Sequence, residues 1–182
     1  MRVISGSARG KKLLCLAGNA TRPTTDRVKE SIFNIIASYV RDASALDLFA
    51  GSGALGIEAL SRGAKKCTFV ENSREAISVV QENIKGAKVS AATVVFMEAC
   101  AFLEKTTETF DLIFLDPPYD ADLYSTVLKR ITTRGLLSAA GIIVVERRAN
   151  APVPTAEGLQ IITDRKYGQT AISILKGCET YD

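Results

Sequence analysis

The stretch Asp47-Leu48-Phe49-Ala50-Gly51-Ser52-Gly53-Ala54-Leu55-Gly56 decides the fold. It joins an apolar segment, residues 45–50, to residues 54–62, whose pattern is typical of a helix. Gly51, Gly53 and Gly56 have the spacing G-x-G-x-x-G, and glycines there let the backbone turn tightly and approach a ligand closely. A glycine loop between a strand and a helix indicates an α/β domain that binds a nucleoside cofactor.

Strands and helices alternate outward from this loop. The sequence predicts strands at residues 66–71, 93–97, 110–116 and 141–146, and helices at residues 73–85, 100–106 and 121–134. Residues 159–166 and 170–176 predict a final hairpin. Repeated β-α units imply a mostly parallel sheet with helices on both faces, and ligands bind at the carboxyl ends of its strands.

Two carboxylates accompany the glycine loop. Glu71 ends the next predicted strand, 20 residues after Gly51, where a carboxylate can accept both hydroxyl hydrogens of a ribose. Such a site fits NAD or S-adenosylmethionine, since both carry an adenosine. Asp47 stands just before the loop, where it would attract the cationic amino-acid end of S-adenosylmethionine and repel a pyrophosphate. This pattern favours S-adenosylmethionine.

The tetrapeptide Asp116-Pro117-Pro118-Tyr119 follows the fourth predicted strand. The prolines stiffen the loop and remove two N–H donors. The Asp116 carboxylate and the Pro117 carbonyl can accept the two hydrogens of an exocyclic amino group, and Tyr119 can stack on a base. The motif indicates methyl transfer to a nucleobase amino nitrogen, with Asp116 stabilising the positive charge that develops there. This chemistry needs no histidine, and the chain has none.

The net charge of +3 is unevenly distributed, because residues 1–41 hold eight Lys or Arg against two acidic residues. A basic segment on a slightly acidic body suggests an anionic partner such as nucleic acid, the alternative being a solvated basic face. We predict that residues 1–41 form a basic hairpin and a helix, packed on the core as an RNA-binding extension. Residues 42–182 would then form the catalytic domain that binds S-adenosylmethionine.

The four cysteines, Cys15, Cys67, Cys100 and Cys178, contain no CxxC pair. Without histidine they predict no metal site, and each is expected to be a reduced, buried small side chain. The sequence shows no signal peptide, and no apolar run approaches the ~20 residues that span a bilayer. We expect a cytoplasmic protein with no membrane contact, and a monomer.

Asp47–Gly56, Glu71 and Asp116–Tyr119 resemble the class I methyltransferases that carry a D/N-P-P-Y/F/W motif. The block Arg22–Asn34 (RPTTDRVKESIFN), together with residues 2–12, resembles the bacterial RsmD family, which methylates N2 of a guanine in 16S rRNA. The likeness covers nearly the whole chain. It implies an α/β, Rossmann-like class I methyltransferase fold. The expected sheet is seven-stranded and mostly parallel, with one antiparallel strand and a small N-terminal β-hairpin extension.

The resemblance also implies the cofactor S-adenosylmethionine and, as partner, 16S rRNA in the small ribosomal subunit or its assembly intermediate. The catalytic residues would be Asp116, Pro117 and Tyr119. The cofactor contacts would be Asp47, Gly51, Gly53, Glu71, Glu98 and Thr24, and the RNA contacts Arg2, Arg9, Lys11, Lys12 and Arg22. Glu98 stands where related enzymes usually place Asp or Asn to read the adenine amino group, and its alternative role is as a helix N-terminal carboxylate.

Other functions remain open at this stage. The same tetrapeptide serves adenine N6 in DNA or RNA, and a protein glutamine amide is a third acceptor, for which the motif usually begins with Asn. A non-catalytic RNA-binding or assembly protein should have lost the glycine loop or Asp116, and both are intact. In an NAD-dependent dehydrogenase, residues 116–119 would have no obvious role.

Overall fold

The computed structural model describes residues 1–16, 25–117 and 121–178. The roles predicted for Arg22, Pro23, Thr24, Pro118 and Tyr119 fall on residues outside these ranges. The helices are α1 (Asp26–Ile35), α2 (Ala37–Val40), α3 (Ala54–Ser61), α4 (Arg74–Ala87), α5 (Ala99–Lys105) and α6 (Ala121–Thr133). The strands are β1 (Ser44–Asp47), β2 (Lys66–Glu71), β3 (Ala92–Phe96), β4 (Phe110–Leu115), β5 (Leu137–Arg148), β6 (Leu159–Tyr167) and β7 (Thr170–Gly177).

The seven strands form one sheet in the order β3-β2-β1-β4-β5-β7-β6. Neighbours from β3 to β5 pair in parallel, whereas β7 pairs antiparallel with both β5 and β6. The predicted mostly parallel sheet with one antiparallel strand is therefore confirmed. Strand order reverses between β1 and β4, which is where ligands bind in open α/β sheets.

Several element ends differ from the sequence prediction. The helix expected within residues 1–41 is interrupted at Ile36, and Thr25 caps its first part by accepting a hydrogen bond from the Val28 N–H. Strand β1 stops at Asp47 because the chain turns into the glycine loop. Strand β5 begins at residue 137, four residues early, since its start pairs with Phe110 of β4 across a register shift.

The expected N-terminal hairpin contains one isolated bridge, between Arg2 and Lys12. Val3 exchanges further backbone hydrogen bonds with Lys11 and Gly10 across a turn. We call residues 1–16 the N-terminal arm. Because so few backbone pairs form, side-chain contacts with the core must hold the arm in place.

The core lies on both faces of the sheet. In β4, Leu112 and Phe114 pack on one face, and Ile113 and Leu115 pack on the other; all four are buried. This arrangement agrees with the continuous apolar run of residues 112–115, which is typical of a strand buried on both faces. It leaves the strand ends as the place where polar groups collect.

The N-terminal arm shares the core of the catalytic part of the chain. Val3 and Leu13 belong to the same buried cluster as Phe33 of α1 and Phe69 of β2. The division at residues 41 and 42 is thus no packing boundary. A separate RNA-binding role for residues 1–41 stays a prediction.

A buried ionic network fastens the arm to α3. The Glu58 carboxylate lies 3.2 Å from the Lys29 ammonium, and both side chains are fully buried. Glu58 also pairs with Arg62 at 2.7 Å and accepts hydrogen bonds from the Ile4 and Ser5 N–H groups. Burial lowers the pKa of Lys29, which the Glu58 charge opposes. The network satisfies charges that would otherwise be costly to bury.

Glu58→Ala is expected to reduce the free energy of unfolding by about 3–5 kcal/mol, because it leaves the Lys29 ammonium buried without its counter-charge. Urea denaturation followed by circular dichroism measures this change. The control is Glu104→Ala, which removes an exposed partner of Arg130 and should leave stability nearly unchanged. Equal stability of the two variants would contradict the assigned role of Glu58.

The prediction that all four cysteines are buried is wrong for two of them. Cys67 is buried and Cys100 is half-buried, but Cys15 and Cys178 are exposed. Both exposed thiols lie beyond the packed layers: Cys15 in the segment leaving the arm, and Cys178 directly after β7. Within the described ranges, no helix is long and apolar enough to cross a membrane, and no group of three or more potential metal ligands occurs.

Candidate active site

Four carboxylates meet at the carboxyl edge of the sheet. Asp47 ends β1, Glu71 ends β2, Asp116 directly follows β4, and Glu146 lies near the end of β5. These four strands are adjacent, in the order β2-β1-β4-β5. The carboxylates therefore line one continuous edge across the point where strand order reverses.

The glycine loop provides space at this edge. Gly51 and Gly53 have φ angles of +54° and +76°, in the left-handed region that favours glycine. A Cβ on Gly51 would find its nearest neighbour 4.0 Å away, whereas a Cβ on Gly56 would lie 2.3 Å from the Phe69 ring. Gly51 thus leaves room for a ligand, while Gly56 allows α3 to pack closely on β2.

Glu71 holds the loop through its carboxylate. Oε2 accepts a hydrogen bond from the Gly51 N–H at 2.9 Å. Oε1 accepts from the N–H groups of Asn72 and Ser73 at 2.8 and 2.9 Å. A carboxylate has about four acceptor sites, so three are in use and one remains for a ribose hydroxyl. The sequence-based expectation of two ribose hydrogen bonds would require one of the backbone bonds to be shared or released.

Asp47 is almost fully buried and fixes the start of α3. Its Oδ2 accepts a hydrogen bond from the Gly56 N–H at 3.0 Å. Burial, followed by the charge of Glu71, raises the pKa of Asp47 to about 7, against the lowering effect of that hydrogen bond. Near neutral pH this carboxyl group responds strongly to any cation placed beside it.

Asp116 faces a similar environment. Leu115 pairs with Val145, so Asp116 and Glu146 follow them side by side on neighbouring strands. Burial raises the pKa of Asp116 well above its ordinary value, and the charges of Glu146 and Asp47 raise it further. Asp116 is half-buried and the next residue, Pro117, is buried, so the first half of the predicted motif is packed at the strand end with part of the Asp116 side chain accessible.

A buried tyrosine fastens the neighbouring helix to this edge. The Tyr124 hydroxyl of α6 donates to the Glu146 carbonyl of β5 at 2.6 Å. Its ring belongs to the same apolar cluster as Leu115. Helix α6 thus supports the strand end that carries Asp116.

Glu98 is the N-cap of α5. Its Oε2 accepts a hydrogen bond from the Ala101 N–H at 2.9 Å, so one carboxylate oxygen serves the helix end. The structure therefore shows Glu98 in its alternative role, as a carboxylate at the N-terminus of a helix. Recognition of adenine by Glu98 stays a prediction.

Four of the five predicted RNA contacts lie on the arm, and the fifth, Arg22, lies outside the described residues. Arg9, Lys11 and Lys12 are exposed, and Arg2 makes a 3.4 Å ion pair with Asp26. The Lys11 side chain crosses α4 at Gly86, where an added Cβ would lie 2.9 Å from its Cε. Arg9, Lys11 and Lys12 thus present exposed positive charge, with Lys11 lying against α4, whereas Arg2 is paired with Asp26 of α1.

Sequence reasoning missed two residues of the site. Glu146, like Asp116, is a carboxylate at the end of an apolar strand, and this pattern could have predicted it as a site residue. Asn83 of α4 is buried and donates to the Ser52 carbonyl of the glycine loop at 2.8 Å. A single asparagine in a helix carries no comparable signal.

The residues at this edge fit S-adenosylmethionine. Burial and neighbouring carboxylates raise the pKa values of Asp47 and Asp116, so a cationic ligand would relieve the repulsion among the negative charges here. S-adenosylmethionine carries a sulfonium and an ammonium group. Gly51 offers the space and Glu71 the acceptor for its nucleoside.

Comparison with known proteins places the chain in a family. The sequence model of the family Conserved hypothetical protein 95 matches residues 1–176. The chain belongs to this family. Ribosomal RNA small subunit methyltransferase D of Haemophilus influenzae is 36% identical over 92% of this chain and 89% of its own length. The Escherichia coli protein of the same name is 38% identical over 85% and 78% of the two chains. The predicted resemblance to the RsmD family is thus confirmed.

A solved structure of a similar protein supports the fold. The Escherichia coli protein yhhF superposes with a TM-score of 0.88 at 35% sequence identity, covering 97% of both chains. The Rossmann-like methyltransferase fold expected from the sequence is confirmed. The match to the family extends over residues 1–176 and so includes the arm.

Proposed function

We propose that this protein transfers a methyl group from S-adenosylmethionine to the exocyclic N2 amino group of a guanine in 16S rRNA of the small ribosomal subunit. Its relatives are named ribosomal RNA small subunit methyltransferase D. The observation that carries the proposal is the position of Asp116, directly after β4 and beside the strand-order reversal, next to the glycine loop. This position favours transfer from a nucleoside cofactor to an amino group.

S-adenosylmethionine supplies an electrophilic methyl group on a sulfonium when it is bound. Gly51, Gly53 and Glu71 would hold its nucleoside, and Asp47 its ammonium group. Burial first, and neighbouring carboxylates second, raise the pKa values of Asp47 and Asp116, and a cationic ligand beside them would lower both. Such a ligand therefore favours the carboxylate form of both side chains.

Asp116 then acts on the base. Its carboxylate accepts a hydrogen bond from the amino group, orients the nitrogen lone pair and stabilises the positive charge that develops on nitrogen. The Pro117 carbonyl is the second acceptor of the predicted motif. When the bond between the nitrogen and the methyl group forms, the bond between that methyl group and the sulfonium sulfur would break and leave S-adenosylhomocysteine. The nitrogen would then lose one of its two protons to solvent, so that the product is a neutral secondary amine.

The preference for guanine N2 rests on the family. Adenine N6 offers the same NH2 group to Asp116 and is the second candidate, since the two acceptors of the motif do not distinguish the bases. A protein glutamine amide is less well matched because the motif begins with Asp116.

The acceptor class is tested by incubating the protein with tritiated S-adenosylmethionine and, separately, 16S rRNA, partly assembled small subunits, DNA and ribosomal proteins. Label in the RNA of the first two samples supports the proposal. Label in protein alone contradicts it. Cofactor binding without any transfer would favour the non-catalytic alternative.

Binding of the cofactor is expected to weaken as the pH falls below about 7. The Asp47 carboxyl must lose its proton to pair with the ligand ammonium, and its pKa in the free protein is about 7. Affinity for S-adenosylhomocysteine should therefore drop by up to about tenfold per pH unit between pH 7 and pH 5. Calorimetry in buffers of different ionisation enthalpy measures both affinity and proton release. An affinity independent of pH would contradict this assignment.

Neutralising Arg9, Lys11 and Lys12 to alanine is expected to weaken RNA binding and its salt dependence. The slope of log affinity against log salt should fall by about 0.7–0.9 for each phosphate that is no longer neutralised, or roughly 2–3 for all three. Fluorescence anisotropy at several salt concentrations measures the slope. The matched control replaces three exposed lysines elsewhere, Lys105, Lys129 and Lys166. Equal salt slopes for the two triple variants would contradict the prediction that the arm binds RNA.

A further inference from the structure

Asn83 joins two parts of the molecule that the sequence keeps far apart. It lies in the last half of α4, and its side chain is 3% exposed. Its Nδ2 donates to the Ser52 carbonyl at 2.8 Å and to the Leu14 carbonyl at 3.0 Å. Its Oδ1 accepts from the Leu14 N–H at 2.8 Å. One amide therefore makes three half-buried hydrogen bonds, two to the N-terminal arm and one to the glycine loop.

The bond to Ser52 adds a third support to the glycine loop. Glu71 and Asp47 hold the Gly51 and Gly56 N–H groups from β2 and β1. Ser52 stands between the two left-handed glycines, so the direction of its carbonyl is tied to the conformation of the space beside Gly51. A shift of Asn83 would therefore change the cofactor loop.

The bonds to Leu14 reach the arm close to its cations. Leu14 follows Lys11 and Lys12 by two or three residues, and its side chain is 48% exposed. Apolar packing therefore holds Leu14 weakly, and the paired bonds to Asn83 anchor its backbone instead. The arm is also held to α3, by Glu58 through the Ile4 and Ser5 N–H groups and by Ser61 through Ser5, Ser7 and Ala8. Among the described residues, neither of these two side chains has a bond to the glycine loop.

We infer that Asn83 is a positioning residue that couples cofactor binding at the glycine loop to RNA binding at the arm. The inference rests on the proposed function, and it assigns a specific link between its two substrates. A ligand that fixes the Ser52 carbonyl also fixes the Asn83 amide, and with it the Leu14 backbone and the neighbouring lysines. By thermodynamic linkage, RNA must then raise cofactor affinity by the same factor by which the cofactor raises RNA affinity.

The test measures that factor. The affinity for S-adenosylhomocysteine is determined by calorimetry with and without a saturating 16S rRNA fragment, and the RNA affinity is determined with and without S-adenosylhomocysteine. In the unmodified protein we expect a coupling of about fivefold or more, equal in both directions. In Asn83→Ala the factor by which each ligand raises the affinity for the other should fall to near one. A wild-type factor of one, or an unchanged factor in the variant, would overturn the inference.

Two further variants separate coupling from folding. Leu14→Pro removes the N–H that donates to Asn83, so it should retain cofactor affinity in the absence of RNA and still lose coupling. Gln81→Ala removes an exposed amide from the same helix and should change neither the cofactor affinity nor the coupling factor. If Leu14→Pro keeps the full coupling, the inference is wrong even where Asn83→Ala is too unstable to measure. Failure of the unmodified protein to bind RNA would instead count against the proposed function.

Discussion

Asp116→Ala is expected to lower the rate of methyl transfer by about 10²- to 10³-fold, the reduction that follows removal of one group that stabilises charge in the transition state. The reason lies in the position of the carboxylate directly after β4, where the proposed mechanism has it accept the amino hydrogen and stabilise the developing positive charge. Cofactor affinity should be retained, because the glycine loop, Glu71 and Asp47 are unchanged. Single-turnover transfer and binding of S-adenosylhomocysteine measure the two effects separately.

The matched control for this variant is Asp111→Ala. Asp111 lies at the start of the same strand and accepts hydrogen bonds from the Ser44 N–H at 2.9 Å and the Ser138 hydroxyl at 2.7 Å. Its replacement should reduce stability at the opposite end of β4 and leave transfer per folded molecule unchanged. Full activity of Asp116→Ala, or an equal reduction in Asp111→Ala, would contradict the proposed chemistry.

Asp47→Asn should make the ligand-free protein more stable at pH 8 and should weaken cofactor binding. The pKa of Asp47 is about 7 in the folded protein, against an ordinary value of 3.8. Between these values the folded protein holds a proton that the unfolded chain has released, so stability falls as the pH rises and is lowest above pH 7. The shift corresponds to a cost of up to about 4 kcal/mol at pH 8, which an uncharged amide removes.

Thermal unfolding at pH 5 and pH 8 tests whether the ionised Asp47 carboxylate reduces the stability of the folded protein. The variant should unfold at a higher temperature than the unmodified protein at pH 8, with a smaller difference at pH 5. Affinity for S-adenosylhomocysteine should fall about 30-fold or more, because the ammonium loses its buried counter-charge. Asp42→Asn, which changes a carboxyl that is 88% exposed, is the control for removal of one charge. Reduced stability of Asp47→Asn at pH 8 would contradict the buried-charge account.

The Asp47 carboxylate is thus expected to strengthen cofactor binding and to reduce the stability of the ligand-free protein. Burial raises the pKa values of Asp47 and Asp116, and neighbouring carboxylates raise them further, so the charged forms of both groups are unfavourable until a cation binds. The cost of placing these carboxylates at one edge without a counter-charge therefore favours a cationic ligand independently of the glycine motif.

Much of the fold could be predicted because its signals are local. The strand over residues 66–71 and the buried run 112–115 follow from apolar pattern alone, and the glycine loop fixes the first β-α connection. The start of β5 at Leu137 could not be predicted, since it depends on pairing with Phe110 across a register shift. The break at Ile36 likewise depends on tertiary packing, because the apolar spacing continues through it.

The site was predictable where one residue type at a strand end carries the chemistry. Asp47, Glu71 and Asp116 were found in this way. The bonds of Glu58 to Ile4 and of Asn83 to Leu14 were not, because each connects residues that are more than 50 positions apart in the sequence.

The cysteines show where an average preference fails. Burial was predicted for all four from the usual behaviour of free cysteine. Cys67 in β2 follows that preference, whereas Cys15 and Cys178 are exposed because they follow the last packed residues of their segments. Exposure of this kind depends on where packing ends, which a single residue type does not reveal.

The measurement that tests the central claim most directly is the identity of the methylated nucleoside. Small-subunit 16S rRNA treated with the protein and S-adenosylmethionine is digested to nucleosides and analysed by mass spectrometry, with Asp116→Ala as the blank. N2-methylguanosine, absent from the blank, is the predicted result. N6-methyladenosine, or no methylated base above the blank, would contradict it.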